Sequence, residues 1–429
     1  MSIAHKKSLQ RKTQANNAVY QEVDRGKTGI FLPLKKPRAK VSILPICIIL
    51  IMLSWYPKAL FGDVRSKTGD EKALGVNCVL AVGDIMLTGS AKPLLLAKGY
   101  DLPFQDKNLA RLIASADVAF ANLEYPITIK GVRYPDKEYT FRGDPESLSA
   151  IRKAGFDLLS LANNHIMDYG EKGLRDTIRQ CRKNRLAFTG AGADLASASS
   201  LAVIKRRGVR YGLLAYSLTF PEEFWATPHK PGTAHPDWAQ VGQDIRDARP
   251  RVDILMVSFH WGEELKSDPK KYQVDFAHHA INSGADVVLG HHPHVPQPIE
   301  IFKGKPIFYS LGNYAFGAIS DNATFSFAAA TRFKDNVPVQ VILYPLNVNN
   351  QDVGFQPRLV RGAPAKKIIT HLREISKSFK TVIHYQNGGG KIMIASQNPS
   401  PSLRASKDEN LSTVNSGPHK PQWSRENLP

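Results

Sequence analysis

Five short polar clusters stand where apolar runs end: Gly83-Asp84, Asn122-Leu123-Glu124, Asn163-Asn164-His165, His260-Trp261-Gly262-Glu263 and Gly290-His291-His292-Pro293-His294. Asp, Glu, Asn and His are the side chains that hold hard or borderline divalent cations. Their recurrence at strand ends predicts one convergent site and metal-dependent chemistry, hydrolytic in kind. The 290–294 cluster is the strongest, because three imidazoles within four residues beside Pro293 are hard to explain by packing. The others each admit a plainer account. Asp84 could point past its strand into the space where α/β proteins bind ligands, or it could make an Asx-turn or a helix cap. Asn122 and Glu124 share a side by the period of two, which also suits a surface strand end. Asn163, Asn164 and His165 could be loop formers, and His260 could be structural. Asn313, after Gly312, could line the same pocket or make a tight turn. Asp168-Tyr169-Gly170 reads as the cap of the next helix. His278-His279 lie on a predicted helix away from any strand end and read as structural.

The elements that must position these residues are visible as short β-rich runs. They are Cys78–Val82, Val118–Asn122, Leu158–Ala162, Leu186–Thr189, Ile254–Phe259 and Val287–Leu289. Most lack polar alternation, as strands covered on both faces should. Helical spacing lies between them, starting at Asp144-Pro145-Glu146 and running over Gly170 to Asn184 and Tyr272 to Ser283. Hairpins are predicted at 201–217, turning at Arg207-Gly208, and at 299–310, turning at Lys303-Gly304-Lys305. Alternating strands follow at 323–333 and 338–346, then a helix over 364–380. The fold class is α/β with substantial antiparallel content, a layered sheet sandwich flanked by helices.

The net charge of +19 suggests nucleic acid until it is partitioned. Residues 1–40 carry ten Lys/Arg against Glu22 and Asp24, and residues 361–429 carry eleven against four acids, which leaves only +4 for 41–360. No basic helix is interleaved with aromatics, so nucleic-acid binding is excluded as a partner class. Three cysteines, Cys47, Cys78 and Cys181, make no disulfide framework and no thiol metal motif.

Lys35, Lys36, Arg38 and Lys40 precede an uncharged run from Val41 to Tyr56. Sixteen residues are short against the roughly 20 a spanning helix wants, but Lys58 can snorkel and Leu60-Phe61 can extend the apolar length. Trp55 and Tyr56 suit an aromatic belt, and the basic flank suits a cytoplasmic N-terminus. A buried core helix is the plainer alternative, opposed by the one-sided basic flank and the Pro57 break. The expected organisation is a basic disordered arm (1–40), a membrane anchor (41–56), a tether (57–76), one domain (77–387) and a disordered tail (388–429). That places the protein in the cell membrane as a single-pass chain with its main domain extracytoplasmic.

In order along the chain, Gly83-Asp84-Ile-Met-Leu, Asn122-Leu-Glu124-Tyr-Pro, Ala162-Asn-Asn-His165-Ile-Met-Asp168-Tyr-Gly, His260-Trp-Gly-Glu263, Gly290-His-His-Pro-His294-Val and Tyr309-Ser-Leu-Gly-Asn313 closely resemble the CapA family. That family is associated with poly-γ-glutamate capsule synthesis and belongs to the calcineurin-like metallophosphoesterase superfamily. The likeness covers roughly residues 77 to 385. It implies a four-layered metallophosphoesterase-like core with strand-end loops gathered around one or two divalent metals (Mn, Fe, Zn or Mg). Carried over by motif, Asp84, Glu124, Asn164, His260, His292 and His294 are the ligand-type positions and His165 the catalytic one, donating a proton to a leaving group. Asn122, Asn163, Glu263, His291 and Asn313 are expected in the pocket.

The chain departs from the superfamily's two-metal pattern. Position 86 is Met where a His follows the first Asp by two, Glu124 stands where a bridging Asp is usual, and the final His pair follows Gly290 with one extra residue. The resemblance implies an anchored extracytoplasmic protein of anionic capsule polymer synthesis or export, acting with the membrane and with synthase or export partners. The alternative is an active metal-dependent phosphoesterase or related hydrolase acting on a cell-envelope substrate. A third reading is a module that holds a polyanion terminus without chemistry.

Overall fold

Along the first strand, Val79 and Ala81 face one way and Leu80 and Val82 the other, and all four are buried. Period-two alternation with apolar residues on both faces means that a layer covers each side of the sheet. The computed structural model describes residues 76–135, 137–318 and 323–394, and shows what those layers are. Among the described residues no helix is long and apolar enough to cross a membrane. The arm, the 41–56 run and most of the tether lie outside the described residues, as do those beyond 394.

Two large sheets carry the fold. In the ten-stranded one, spatial order runs His384–Gln386, Gly389–Met393, Val337–Asn347, Phe325–Lys334, Val76–Met86, Val118–Leu123, Leu158–Ser160, Ala187–Thr189. Asn313–Phe316 pairs in parallel with the end of Val76–Met86. The six-stranded sheet runs Ile299–Phe302, Lys305–Phe308, Val287–His291, Ile254–His260, Val209–Ser217, Ala202–Arg206. Its four inner strands are parallel, and both outer ones are added as hairpins at Arg207-Gly208 and Lys303-Gly304.

Three apolar clusters define four layers. Val79, Ala81, Phe120 and Leu158 of the first sheet meet Leu213, Ile254, Met256 and Leu289 of the second. The first sheet's other face, with Leu80, Val82, Ala121 and Leu159, is covered by Leu95, Ile113, Ile151 and Leu174 from four helices: Lys92–Lys98, Lys107–Ser115, Pro145–Lys153 and Gly170–Lys183. On the far side, Leu214, Leu255 and Val257 pack under Trp238–Ala248 and Lys271–Ser283 through Val241, Ile245, Phe276 and Ala277. The result is helices, sheet, sheet, helices, with Gly362–Ile375 closing one edge through Ile369 and Leu372.

One boundary is corrected. The tail expected from Gly388 onward begins inside a hairpin, because Gly389–Met393 forms a strand against Val337–Asn347. Its glycines hid it, since Gly-rich sequence reads as loop. Gly389 nonetheless lies close to the Leu343 carbonyl, where a Cβ would stand 2.5 Å away.

Candidate metal centre

Each half of the site is built by a strand that carries a glycine close to its carboxyl end, Gly83 in Val76–Met86 and Gly290 in Val287–His291. A Cβ on Gly83 would stand 1.7 Å from the Gly312 carbonyl oxygen, so only glycine lets the two strands approach. The next residue, Asp84, donates its N–H to that carbonyl at 3.0 Å and lies in register with both Asn122 and Asn313. In the second sheet a Cβ on Gly290 would stand 2.0 Å from the Tyr309 carbonyl, and His291 follows, in register with His260. The chain then leaves the strand through His292 and His294, at φ 95° and 60°. Left-handed backbone at a non-glycine residue costs about 1–3 kcal/mol and persists only where surrounding structure imposes it. Here it turns both rings toward the first sheet's strand ends.

The side chains meet at the carboxyl ends of parallel strands from both sheets, where open α/β sheets bind ligands. Asn122 is the hub. Its Nδ2 donates to Asp84 Oδ1 at 2.9 Å and to Glu124 Oε2 at 3.2 Å, and lies 3.4 Å from His260 Nδ1. His260 Nε2 lies 3.1 Å from Asn164 Oδ1 and 3.4 Å from Glu124 Oε1. His294 Nδ1 lies 3.5 Å from Asp84 Oδ2 and 3.0 Å from Asn313 Oδ1. The His260 and His292 rings are 4.8 Å apart.

Three overlapping groups bring their donor atoms within 4.8 Å of one another: Glu124, His260 and His292; Asp84, Glu124 and His294; Glu264, His292 and His294. Glu124 Oε1 and His292 Nδ1 are buried without a hydrogen-bond partner. Orphaned buried atoms of this kind are costly, and a divalent cation would satisfy them. The mixed nitrogen and oxygen donor set fits such a cation.

The electrostatics agree. Burial alone would raise the Asp84 carboxyl, but the imidazoles of His291 and His294 outweigh it and hold Asp84 well below the usual carboxylate range. Burial, reinforced by the Asp84 charge, pushes Glu124 well above that range. Burial, then the neighbouring imidazoles, drives His260 far down and His292 to about 3. Both rings are therefore neutral, the form in which imidazole ligates.

Beside this cluster His165 Nδ1 lies 2.8 Å from Asp168 Oδ2, and the Phe141 ring lies edge-on to it at 4.9 Å. Burial is the main reason its pKa falls, with Lys137 adding to the drop and Asp168 opposing it.

Most of the expected residues converge. Asp84, Glu124, Asn164, His260, His292 and His294 lie together with Asn122 and Asn313, and His165 flanks them. His291 is fully buried and binds Asp84 Oδ1 at 2.8 Å, behind the three donor groups. Asn163 shapes the turn: its Oδ1 accepts from the His165 and Ile166 amides and its Nδ2 donates to Asn122 Oδ1. Two readings are corrected. Glu263 does not join the pocket, since it is exposed and pairs with Lys270 at 3.2 Å, while its neighbour Glu264 reaches His292 and His294. Asp168 is not a helix cap. It is fully buried and accepts from His165, Lys137 and the Phe141 amide. Lys137 and Glu264 were missed, and neither lies in a cluster that sequence spacing singles out.

Fold and site together define an α/β sandwich protein with an imidazole–carboxylate cluster at the strand ends of both sheets. Residues 78–318 match the family model described as bacterial capsule synthesis protein PGA_cap. Over 323 residues the chain is 30% identical to the capsule biosynthesis protein CapA of Bacillus anthracis, covering 73% of this chain and 77% of that one. Over 286 residues it is 34% identical to the PGA biosynthesis protein CapA of Bacillus subtilis, covering 66% and 73%. Among solved structures the NAD nucleotidase of Haemophilus influenzae aligns at 12% identity and a TM-score of 0.40, over 70% of this chain and 56% of that one, an overlap too loose to bear on function. The chain belongs to the PGA_cap family.

Proposed function

We propose that this protein is a membrane-anchored, extracytoplasmic component of anionic capsule polymer synthesis or export, of the poly-γ-glutamate type, whose strand-end cluster holds one or two divalent cations. Membership in the PGA_cap family supports the process, and the relatives named as capsule and PGA biosynthesis proteins support the polymer class. The observation that carries the site is the buried set Asp84, Glu124, His260, His292 and His294, with Glu124 Oε1 and His292 Nδ1 lacking a hydrogen-bond partner. Anchoring through residues 41–56 and an outward-facing domain follow from the basic flank and aromatic belt of that run.

When bound, a divalent cation supplies Lewis acidity, polarising a phosphoryl or carbonyl oxygen and lowering the pKa of water. Asp84 and Glu124 would hold it with negative oxygens, His260, His292 and His294 with neutral nitrogens, and Asn164 with a carboxamide oxygen. A second reading, that of a metal-dependent hydrolase acting on a cell-envelope substrate, is favoured by one geometry. His165 has Nδ1 engaged by Asp168 at 2.8 Å, which leaves Nε2 to carry a proton to or from a leaving group.

The test is deletion of the gene and scoring of surface polymer, with complementation by the wild type and by His292→Ala/His294→Ala. Loss of polymer rescued only by the wild type is the expected result. Equal rescue by the double variant would remove the cation from the function. Turnover of a generic phosphodiester by purified protein, abolished in His165→Ala, would decide for hydrolysis.

A further inference from the structure

The Lys137 side chain is only 16% exposed, and the close acceptors of its ammonium belong to one turn. Nζ donates to Asp168 Oδ1 at 2.6 Å and to the Asn164 carbonyl at 2.5 Å, and approaches His165 Nδ1 at 3.0 Å. The Phe224 ring lies 5.4 Å from the same ammonium. Burying an ammonium is expensive unless its hydrogen bonds are well made. Tethering the segment around Lys137 does not explain that expense. The Phe141 amide already donates to Asp168 Oδ2 at 2.7 Å and the Tyr134 amide to the Asp168 carbonyl at 2.9 Å, so the backbone ties the segment down without the lysine.

The hydrogen-bond logic of the turn shows what the lysine adds. Asp168 accepts on both oxygens: Oδ1 takes Lys137, and Oδ2 takes the Phe141 amide and His165 Nδ1. Asp168 Oδ2 and Lys137 Nζ both face His165 Nδ1, at 2.8 and 3.0 Å, so Nε2 is the ring nitrogen left out of the turn's contacts. Without Lys137, Asp168 Oδ1 loses its donor and the ring is oriented through Oδ2 alone. We propose that Lys137 is a positioning residue for His165: by fixing the Asp168 carboxylate and the Asn164 carbonyl, it presents His165 Nε2 outward toward substrate. This rests on the reading of His165 as the proton-carrying group, and it adds a residue outside the motifs that carry the family likeness.

The test uses full-length protein with ¹⁵N-labelled histidine and long-range ¹H–¹⁵N correlation spectra, the His165 signals being assigned by their loss in His165→Asn. In the wild type the pattern of a single tautomer is expected. Lys137→Met should broaden or mix that pattern while the other histidine signals hold, and methylammonium added to Lys137→Ala should restore it. Turnover of bis(p-nitrophenyl) phosphate with Mn²⁺ gives a second readout, with kcat falling roughly tenfold or more and KM nearly unchanged, as misplacement of a reacting group predicts. Unaltered His165 signals in Lys137→Met overturn the proposal. A wild type without turnover, but with His165 signals that follow Lys137, leaves the positioning role standing and removes the hydrolytic reading instead.

Discussion

Glu124 is the residue whose chemistry depends most on what joins it. Burial and the Asp84 charge push its pKa up, and its Oε1 has no hydrogen-bond partner. Gln keeps the shape of Glu, so Glu124→Gln should change the stability of the cation-free protein by no more than the roughly 1 kcal/mol typical of a point substitution. The same change removes an anionic donor. Wild-type protein in Mn²⁺ at a hundredfold excess over its dissociation constant should gain about 2.7 kcal/mol, and the variant should gain little at that concentration. Thermal unfolding with and without Mn²⁺ reads both. The residue scale is also where sequence reading failed. Glu263 was expected in the pocket from its motif, but past the turn at Gly262, φ 88°, it is Glu264 that meets the histidines. Lys137 sits 28 residues before His165 in an aperiodic segment, and nothing local marks it.

At the level of elements, glycines at strand ends set how closely neighbouring strands approach. Gly83→Ala would drive a methyl into the Gly312 carbonyl and push Asp84 off its register with Asn122 and Asn313. A loss of about 1–3 kcal/mol in chemical denaturation is expected from the overpacking, with weakened cation binding beside it. Away from the site, the start of Val209–Ser217 is joined to Asp253 by Arg210, whose hydrogen bonds hold the Asp253 carboxyl at about 2. A depressed folded-state pKa stabilises above the unfolded value of about 3.9, and the gain is lost as pH falls through the folded value. The stability difference between wild type and Asp253→Asn should therefore be flat from neutral pH down to about 5 and vanish between about 4 and 2. Denaturation in urea across that range tests it. The pair is largely exposed, so the difference will be small.

Across the whole molecule, convergence depends on two sheets packing face to face. Phe120 lies in the inter-sheet core with its ring 5.6 Å from that of His291. Phe120→Ala should cost about 3–5 kcal/mol and weaken cation binding. Leu148→Ala, in the outer helical layer, should cost about 2–5 kcal/mol and leave cation binding alone. Equal effects of the two on binding would mean that the cluster does not depend on the sheet interface. The element types and the polar residues at strand ends were legible in the sequence, because period-two burial, helical spacing and terminal glycine are local properties of the chain. The pairing of His260 with Asn164, of His291 with Asp84 and of Lys137 with Asp168 was not. Those contacts span 96, 207 and 31 residues: the first two exist only because one sheet closes over the other, and the third because the loops after two neighbouring strands of the first sheet meet.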